Sequence, residues 1–171
     1  MLQETISGVT IEISQGTIAA QDDVTCVVNA ANAQLRTGGG VAGAIHEAAG
    51  PNLAEETRSM APISPGEAVI SGGHDLPNAH VIHCLGPVYG RDEPADELLA
   101  NCFKHALELA EEHEIDSIAF PAVSTGAFGY PTEEAAAVSV RTVLDQVPSL
   151  NAVKKIRFVL YDQQTRDIFE D

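Results

Sequence analysis

The run Val24-Thr25-Cys26-Val27-Val28, continued by Asn29-Ala30-Ala31-Asn32, then Gly38-Gly39-Gly40 and the small-residue stretch Val41 to Ala49, decides the architecture. Five apolar or β-branched residues in succession suit a short strand buried on both faces. Val41 to Ala49 is Ala-rich and helix-compatible, and it stops at Gly50-Pro51. A buried strand that passes through glycines into a helix is the pattern of an α/β protein.

Working outward, Ile6 to Ile13 alternates roughly with period two and reads as strand. A second short helical piece is expected from Asn52 to about Ser59. Pro62 and Pro65 punctuate a loop, and Glu67 to Ser71 and Ala79 to Leu85 read as strands around Gly72-Gly73. From Ala95 to His113, Leu99, Cys102, Ala106 and Leu109 recur at helical spacing, with acids on the other face. Ser117 to Phe120 is another buried strand. Thr132 is expected to cap a helix whose first turn carries Glu133 and Glu134, with Val140, Val143, Leu144 and Val147 as its apolar stripe. Ile156 to Tyr161 reads as a strand and Gln163 to Glu170 as a terminal helix. The alternation implies a sheet with helices on both faces. With no repeat, low-complexity tract or linker, residues 1–171 read as a single domain.

The charge is lopsided: 9 Lys and Arg against 25 Asp and Glu, a net of -16. Such a surface repels phosphate backbones and anionic headgroups, so generic nucleic-acid and membrane-surface binding are not expected. Scarce basic and aromatic residues also suit a protein soluble at high salt, as in a halophile. Cys26, Cys84 and Cys102 are odd in number and lack C-x-x-C spacing, which points to buried thiols in a reducing compartment. The first residues lack a signal-peptide pattern, and no stretch approaches ~18 consecutive apolar residues, so the chain reads as cytoplasmic. His80 and His83 have opposite strand parity and would not share a metal. Neither a metal nor a cofactor is implied.

Two loops leave the carboxyl ends of predicted buried strands, the edge where open α/β sheets bind ligands. In the first, Gly38-Gly39-Gly40 lets the backbone approach a ligand, and the helix behind it offers free N–H groups to an anion. An isolated triple glycine also reads as a flexible turn. Gly38 to Gly43 satisfies G-x-G-x-x-G, but Asn29 to Thr37 separate it from the strand, and Glu55 and Glu56 fall within a helical piece. A dinucleotide-dependent dehydrogenase is therefore disfavoured. The second loop, Ala122-Val123-Ser124-Thr125-Gly126-Ala127-Phe128-Gly129-Tyr130, is able to form an N–H-lined concavity for phosphate, with Phe128 and Tyr130 as apolar walls. It also reads as a plain connection with core-facing aromatics. No G-K-[ST] follows, which excludes a P-loop, and no G-x-S-x-G surrounds Ser124, which argues against a hydrolase triad.

Together, Val27 to Asn32, Gly38 to His46, Val81 to Pro87 and Ile118 to Pro131 resemble the macrodomain family, over nearly the whole chain. The resemblance implies a three-layer α/β/α sandwich with a mixed, mostly parallel central sheet. It implies ADP-ribose, free or attached to proteins or metabolites, as ligand, and hydrolysis of ADP-ribosyl esters or O-acetyl-ADP-ribose as the activity. By position it assigns Asn32 to the distal ribose. Gly38, Gly39 and Gly40 and the amides of Ser124, Thr125, Gly126, Ala127 and Phe128 wrap the diphosphate, with Phe128 also flanking the distal ribose. Tyr161 lies where an aromatic ring stacks on adenine. Thr17, Ile18, Ala31 and Val41 complete the ligand-binding set, and Asn32 and Gly40 are the catalytic positions. A monomer is expected.

Two departures from the family pattern stand out. Thr17 occupies the place of an Asp whose carboxylate accepts from the adenine amino group, and a neutral hydroxyl is the weaker acceptor. Ala42 occupies the place of an Asp that positions water in the most active hydrolase branch. Without it, Asn32, the ligand phosphate and the loop amides would have to hold the water, a substrate-assisted route. The residues thus fit an ADP-ribosyl-ester hydrolase, or a reader that binds ADP-ribose without turnover.

Overall fold

A computed structural model describes residues 2–170. Seven strands form one mixed sheet in the order β1-β2-β7-β6-β3-β5-β4. They are β1 (Leu2–Ile6), β2 (Val9–Gln15), β3 (Cys26–Ala30), β4 (Ala68–Gly72), β5 (His80–Cys84), β6 (Ser117–Phe120) and β7 (Lys155–Leu160). The five inner strands run parallel, and β1 and β4 close the edges antiparallel. Five helices complete the chain: α1 (Gly40–Ala49), α2 (Asn52–Thr57), α3 (Ala95–Glu112), α4 (Thr132–Gln146) and α5 (Gln163–Glu170).

Strand parity divides the helices between the two faces. Cys26, Val28, Ile82, Cys84, Ile118, Phe120, Ile156, Phe158 and Leu160 point to one side, into a core shared with α3, α4 and α5. Val27, Val81, Ala119 and Val159 point to the other, against Ile45 and Ala49 of α1 and Leu53 of α2. Because both faces are covered, the inner strands are continuous apolar runs rather than alternating ones. The expected three-layer sandwich with a mixed, mostly parallel sheet is what forms. Phe103 of α3 lies 4.9 Å from Phe120, centroid to centroid, at the centre of the larger core. All three cysteines are buried and free. No helix among the described residues is long and apolar enough to cross a membrane.

Three local expectations are corrected. Ile6 to Ile13 is not one strand. Ser7 and Gly8, at φ 50° and 82°, turn the chain so that Ile6 pairs with Val9. Two consecutive left-handed residues make the mirror-image turn that matches strand twist. Its mark in the sequence is one three-residue step, from Ile6 to Val9, in an otherwise alternating run. Thr132 is the first helical residue of α4, behind an extended Pro131, and its side chain caps nothing. The buried stripe of α4 is Ala135, Ala136, Ser139, Val143 and Val147, while Leu144 is exposed and Val140 half-buried. Small residues face inward because α4 lies close against α3.

A buried ion pair joins β2 to β7. Glu12 and Arg157 are register partners on β2 and β7, both buried, and Arg157 Nε donates to Glu12 Oε1 at 2.9 Å. The guanidinium also grips Asp23 bidentately at 2.7 Å and donates to Gln21 Oε1, and Gln21 in turn donates to the Thr17 carbonyl. Hydrogen bonding to Arg157 holds the Asp23 carboxyl well below the usual carboxylate range. Removing the cation would strand a buried Glu12 carboxylate. Arg157→Met is therefore expected to lower stability by about 3–5 kcal/mol in urea denaturation, and more than Asp23→Ala, whose side chain is half-exposed.

Candidate functional site

The five parallel strands end at one edge, and every loop singled out in the sequence leaves from it. From β3 the chain passes Asn32, whose side chain clamps the loop: its Oδ1 accepts the Arg36 N–H at 3.0 Å and its Nδ2 donates to the Arg36 carbonyl at 2.8 Å. The amide keeps one acceptor lone pair and one N–H for a ligand. Leu35, left-handed at φ 56°, is a buried plug against Ala31, Ile63 and Leu85. Gly40 opens α1 at φ 55°, a backbone conformation that favours glycine, and no side chain caps the helix. The first-turn amides therefore remain open, with the positive end of the helix dipole behind them. A Cβ on Gly43 would collide with the Gly38 carbonyl oxygen, so glycine there lets α1 rest directly on the loop.

From β6 the second loop folds on itself. Tyr130 N–H bonds the Ser124 carbonyl, Gly129 N–H the Gly126 carbonyl, and Thr125 Oγ1 the Ala122 carbonyl. Ser124 is left-handed at φ 68°, and its side chain fills the place a Cβ on Gly86 would take. The amides of Thr125, Gly126, Ala127 and Phe128 donate to nothing among the described residues. They form an outward row of N–H groups suited to anionic oxygens.

Two cavities meet between the loops. One, of about 350 Å³, is lined by Ala31, Asn32, Gly38, Gly39, Gly40, Val41, Ser124, Gly126, Ala127 and Phe128, together with Ala42 and Gly86. The other, of about 730 Å³, is lined by Thr17, Ile18, Gly40, Val41, Thr125, Gly126 and Tyr161, together with Asp162 and Thr165. Gly40, Val41, Ala122 and Gly126 belong to both. All the sequence-derived site residues are brought to this pair. Tyr130 is not: it is buried in the core, 4.9 Å from the Tyr89 ring, and Phe128 alone forms the aromatic wall. Gly86, Gly43 and Asp162 carried no role in the sequence reading. Asp162 was signalled only by its place directly after Tyr161 at a strand's carboxyl end.

The smaller cavity contains no titratable side chain, so general acid–base chemistry has no protein group there. The walls offer N–H groups, glycine clearance, one carboxamide and one aromatic ring.

Behind β3 lies a buried polar layer. Asn29 Nδ2 donates to His83 Nδ1 at 3.1 Å, which places the imidazole proton on Nε2, facing Ser71 Oγ at 2.9 Å. The Ser71 hydroxyl then donates to the Gly72 carbonyl. This neutral chain ties β3, β5 and β4 together directly below the Asn32 loop. Burial, helped by the nearby His46, pushes the His83 imidazole down to about 3.

Comparison with known proteins finds relatives by sequence and by fold. The family described as Macro domain matches residues 28–139. A macro domain-containing protein of Chlorobaculum tepidum is 44% identical over 86% of this chain and 86% of its own length. An O-acetyl-ADP-ribose deacetylase of Klebsiella pneumoniae is 45% identical over 86% of this chain and 87% of its own. A variant of the Oceanobacillus iheyensis macrodomain solved with ADPR superposes with a TM-score of 0.94 at 36% identity, over 99% of this chain and 94% of that one.

The polar layer has a measurable consequence. The folded His83 titrates below its unfolded value near 6.5, so above 6.5 both states are neutral and stability is complete. Below 6.5 only the unfolded state gains the proton, and stability should fall by about 1.4 kcal/mol per pH unit toward pH 4. Urea denaturation between pH 7.5 and 5 should show this slope, and His83→Gln should flatten it.

Proposed function

The chain belongs to the macro domain family, and we propose that it binds ADP-ribose across the two cavities and hydrolyses ADP-ribosyl esters. The observation that carries the reading is the junction at Gly40, Val41 and Gly126, where a helix N-terminus and a row of unpaired amides face one another. A diphosphate fits there. The larger cavity, with Tyr161 exposed at its rim, takes the adenosine, and the smaller takes the distal ribose. The deacetylase named among the relatives and the ADPR-bound neighbour support both halves of the reading.

With Ala42 in the wall and no acid or base in the smaller cavity, the reaction is substrate-assisted. Water held by Asn32, the loop amides and a ligand phosphate oxygen attacks the ester, either at the acyl carbonyl or at the distal ribose carbon. The phosphate takes the water proton and passes it to the departing oxygen as the ester bond breaks, so ADP-ribose and a free carboxylic acid leave. The same missing carboxylate favours a second reading, a binding module without turnover. The net charge of -16 and three free buried thiols support action as a monomer in a reducing, salt-rich cytoplasm.

Incubation with a mono-ADP-ribosylated protein or O-acetyl-ADP-ribose should release ADP-ribose, and Asn32→Ala should cut the rate at least about 10²-fold through misplacement of ribose and water. Binding without release above that control would leave the reader. In calorimetry, ADP-ribose affinity should hold or improve as salt rises, because screening removes repulsion from the acidic surface while the amides act at contact. Steep weakening with salt, or no binding at saturating ADP-ribose, would overturn the reading.

A further inference from the structure

Among the described residues, Asp162 is the only charged one lining either cavity. That is unexpected for a pocket that receives a dianion, because a carboxylate there repels the ligand unless it accepts a hydrogen bond from a neutral donor. Its position is fixed. Gln15 of β2 is the register partner of Leu160 of β7, and Gly16 N–H bonds the Leu160 carbonyl at 2.9 Å, so Thr17 and Tyr161-Asp162 leave adjacent strand ends together. Thr165 N–H then donates to Asp162 Oδ1 at 2.8 Å, holding the carboxylate at the first turn of α5. This bond keeps the carboxyl below the usual carboxylate range, so it stays ionised at neutral pH.

The ligand path limits what Asp162 meets. A base on Tyr161 and a diphosphate at Gly40 and Gly126 leave the intervening sugar beside residue 162. The donors on that sugar are its hydroxyls. We propose that Asp162 accepts a hydrogen bond from a hydroxyl of the adenosine ribose and so excludes nucleotides phosphorylated at the 2′ position. The inference rests on the ADP-ribose reading of the cavities. The carboxylate acts as a selectivity element: neutral hydroxyls gain a charge-assisted bond, and a 2′-phosphate meets like charge.

The test is calorimetry of the full chain with ADP-ribose and with ADP-ribose 2′-phosphate, for the wild type and Asp162→Asn. Asn also accepts from the Thr165 amide as a helix cap, so the fold is retained, and a thermal melt checks it. The wild type should prefer the unphosphorylated ligand by about tenfold or more, and high salt should narrow the gap. Asp162→Asn should bring the two affinities within about threefold, chiefly by improved binding of the 2′-phosphate. Should Asp162→Asn unfold, the salt dependence of the wild-type preference decides alone. Equal wild-type affinities, a preference insensitive to salt, or an unchanged preference in Asp162→Asn would overturn the proposal while leaving ADP-ribose binding intact. Failure of the wild type to bind either ligand would instead remove the reading on which it rests.

Discussion

A cavity without a basic side chain holds an anion where backbone N–H groups are unpaired and nothing larger than hydrogen stands in front of them. That constraint organises the whole carboxyl edge of this sheet. Neither cavity is lined by Lys or Arg, so the positive potential has to come from the uncapped start of α1 and from the amides after Ser124. Amide dipoles act only at contact distance, which makes clearance decisive. No protein atom lies near the place of a missing Cβ at Gly39, Gly40 or Gly126. At Gly43 and Gly86 the reason is the opposite: there the protein itself fills the space, with the Gly38 carbonyl and the Ser124 side chain.

Loops with open amides have given up internal hydrogen bonds, and the scaffold compensates by fixing them from behind. The Leu35 plug and the double bond from Asn32 to the Arg36 backbone secure the first loop. Phe128 packs on the same small cluster, so the two loops share one apolar anchor. The adenosine side is braced differently, through the relay from the buried Glu12–Arg157 pair to Gln21 and the Thr17 carbonyl. Such a relay costs desolvation, but it pins the short connection that leaves β2 through Thr17. Below β3, the neutral Asn29–His83–Ser71 chain does the same without any charge.

Much of this was legible in the residues. The inner strands are buried on both faces, so they announce themselves as unbroken apolar runs, and the glycine loops follow them directly. The family resemblance drew the site residues together because they are contiguous blocks at strand ends. The Ser7-Gly8 reversal was missed because its mark is a single three-residue step, from Ile6 to Val9, in an otherwise alternating run. Tyr130 looked like a pocket wall beside Phe128, but the turn closed by its own N–H on Ser124 swings its ring into the core. Asp162 was overlooked because an exposed acid in a chain with 25 of them carries no local signal.

The sequence by itself determined the layered α/β architecture, the order of strands and helices along the chain, and which loops had the glycines to admit a ligand. Those properties depend on residue type and spacing, and a strand buried on both faces has only one kind of composition. Tertiary structure decided which of the acids stands alone in the site, that Asn32 is both clamp and open carboxamide, and that His83 is held neutral. Each of these depends on how the chain turns and packs, through loop contacts a few residues apart at Asn32 and Asp162 and through strand register at His83, where a neighbour rather than a residue's own chemistry sets its charge and its partners.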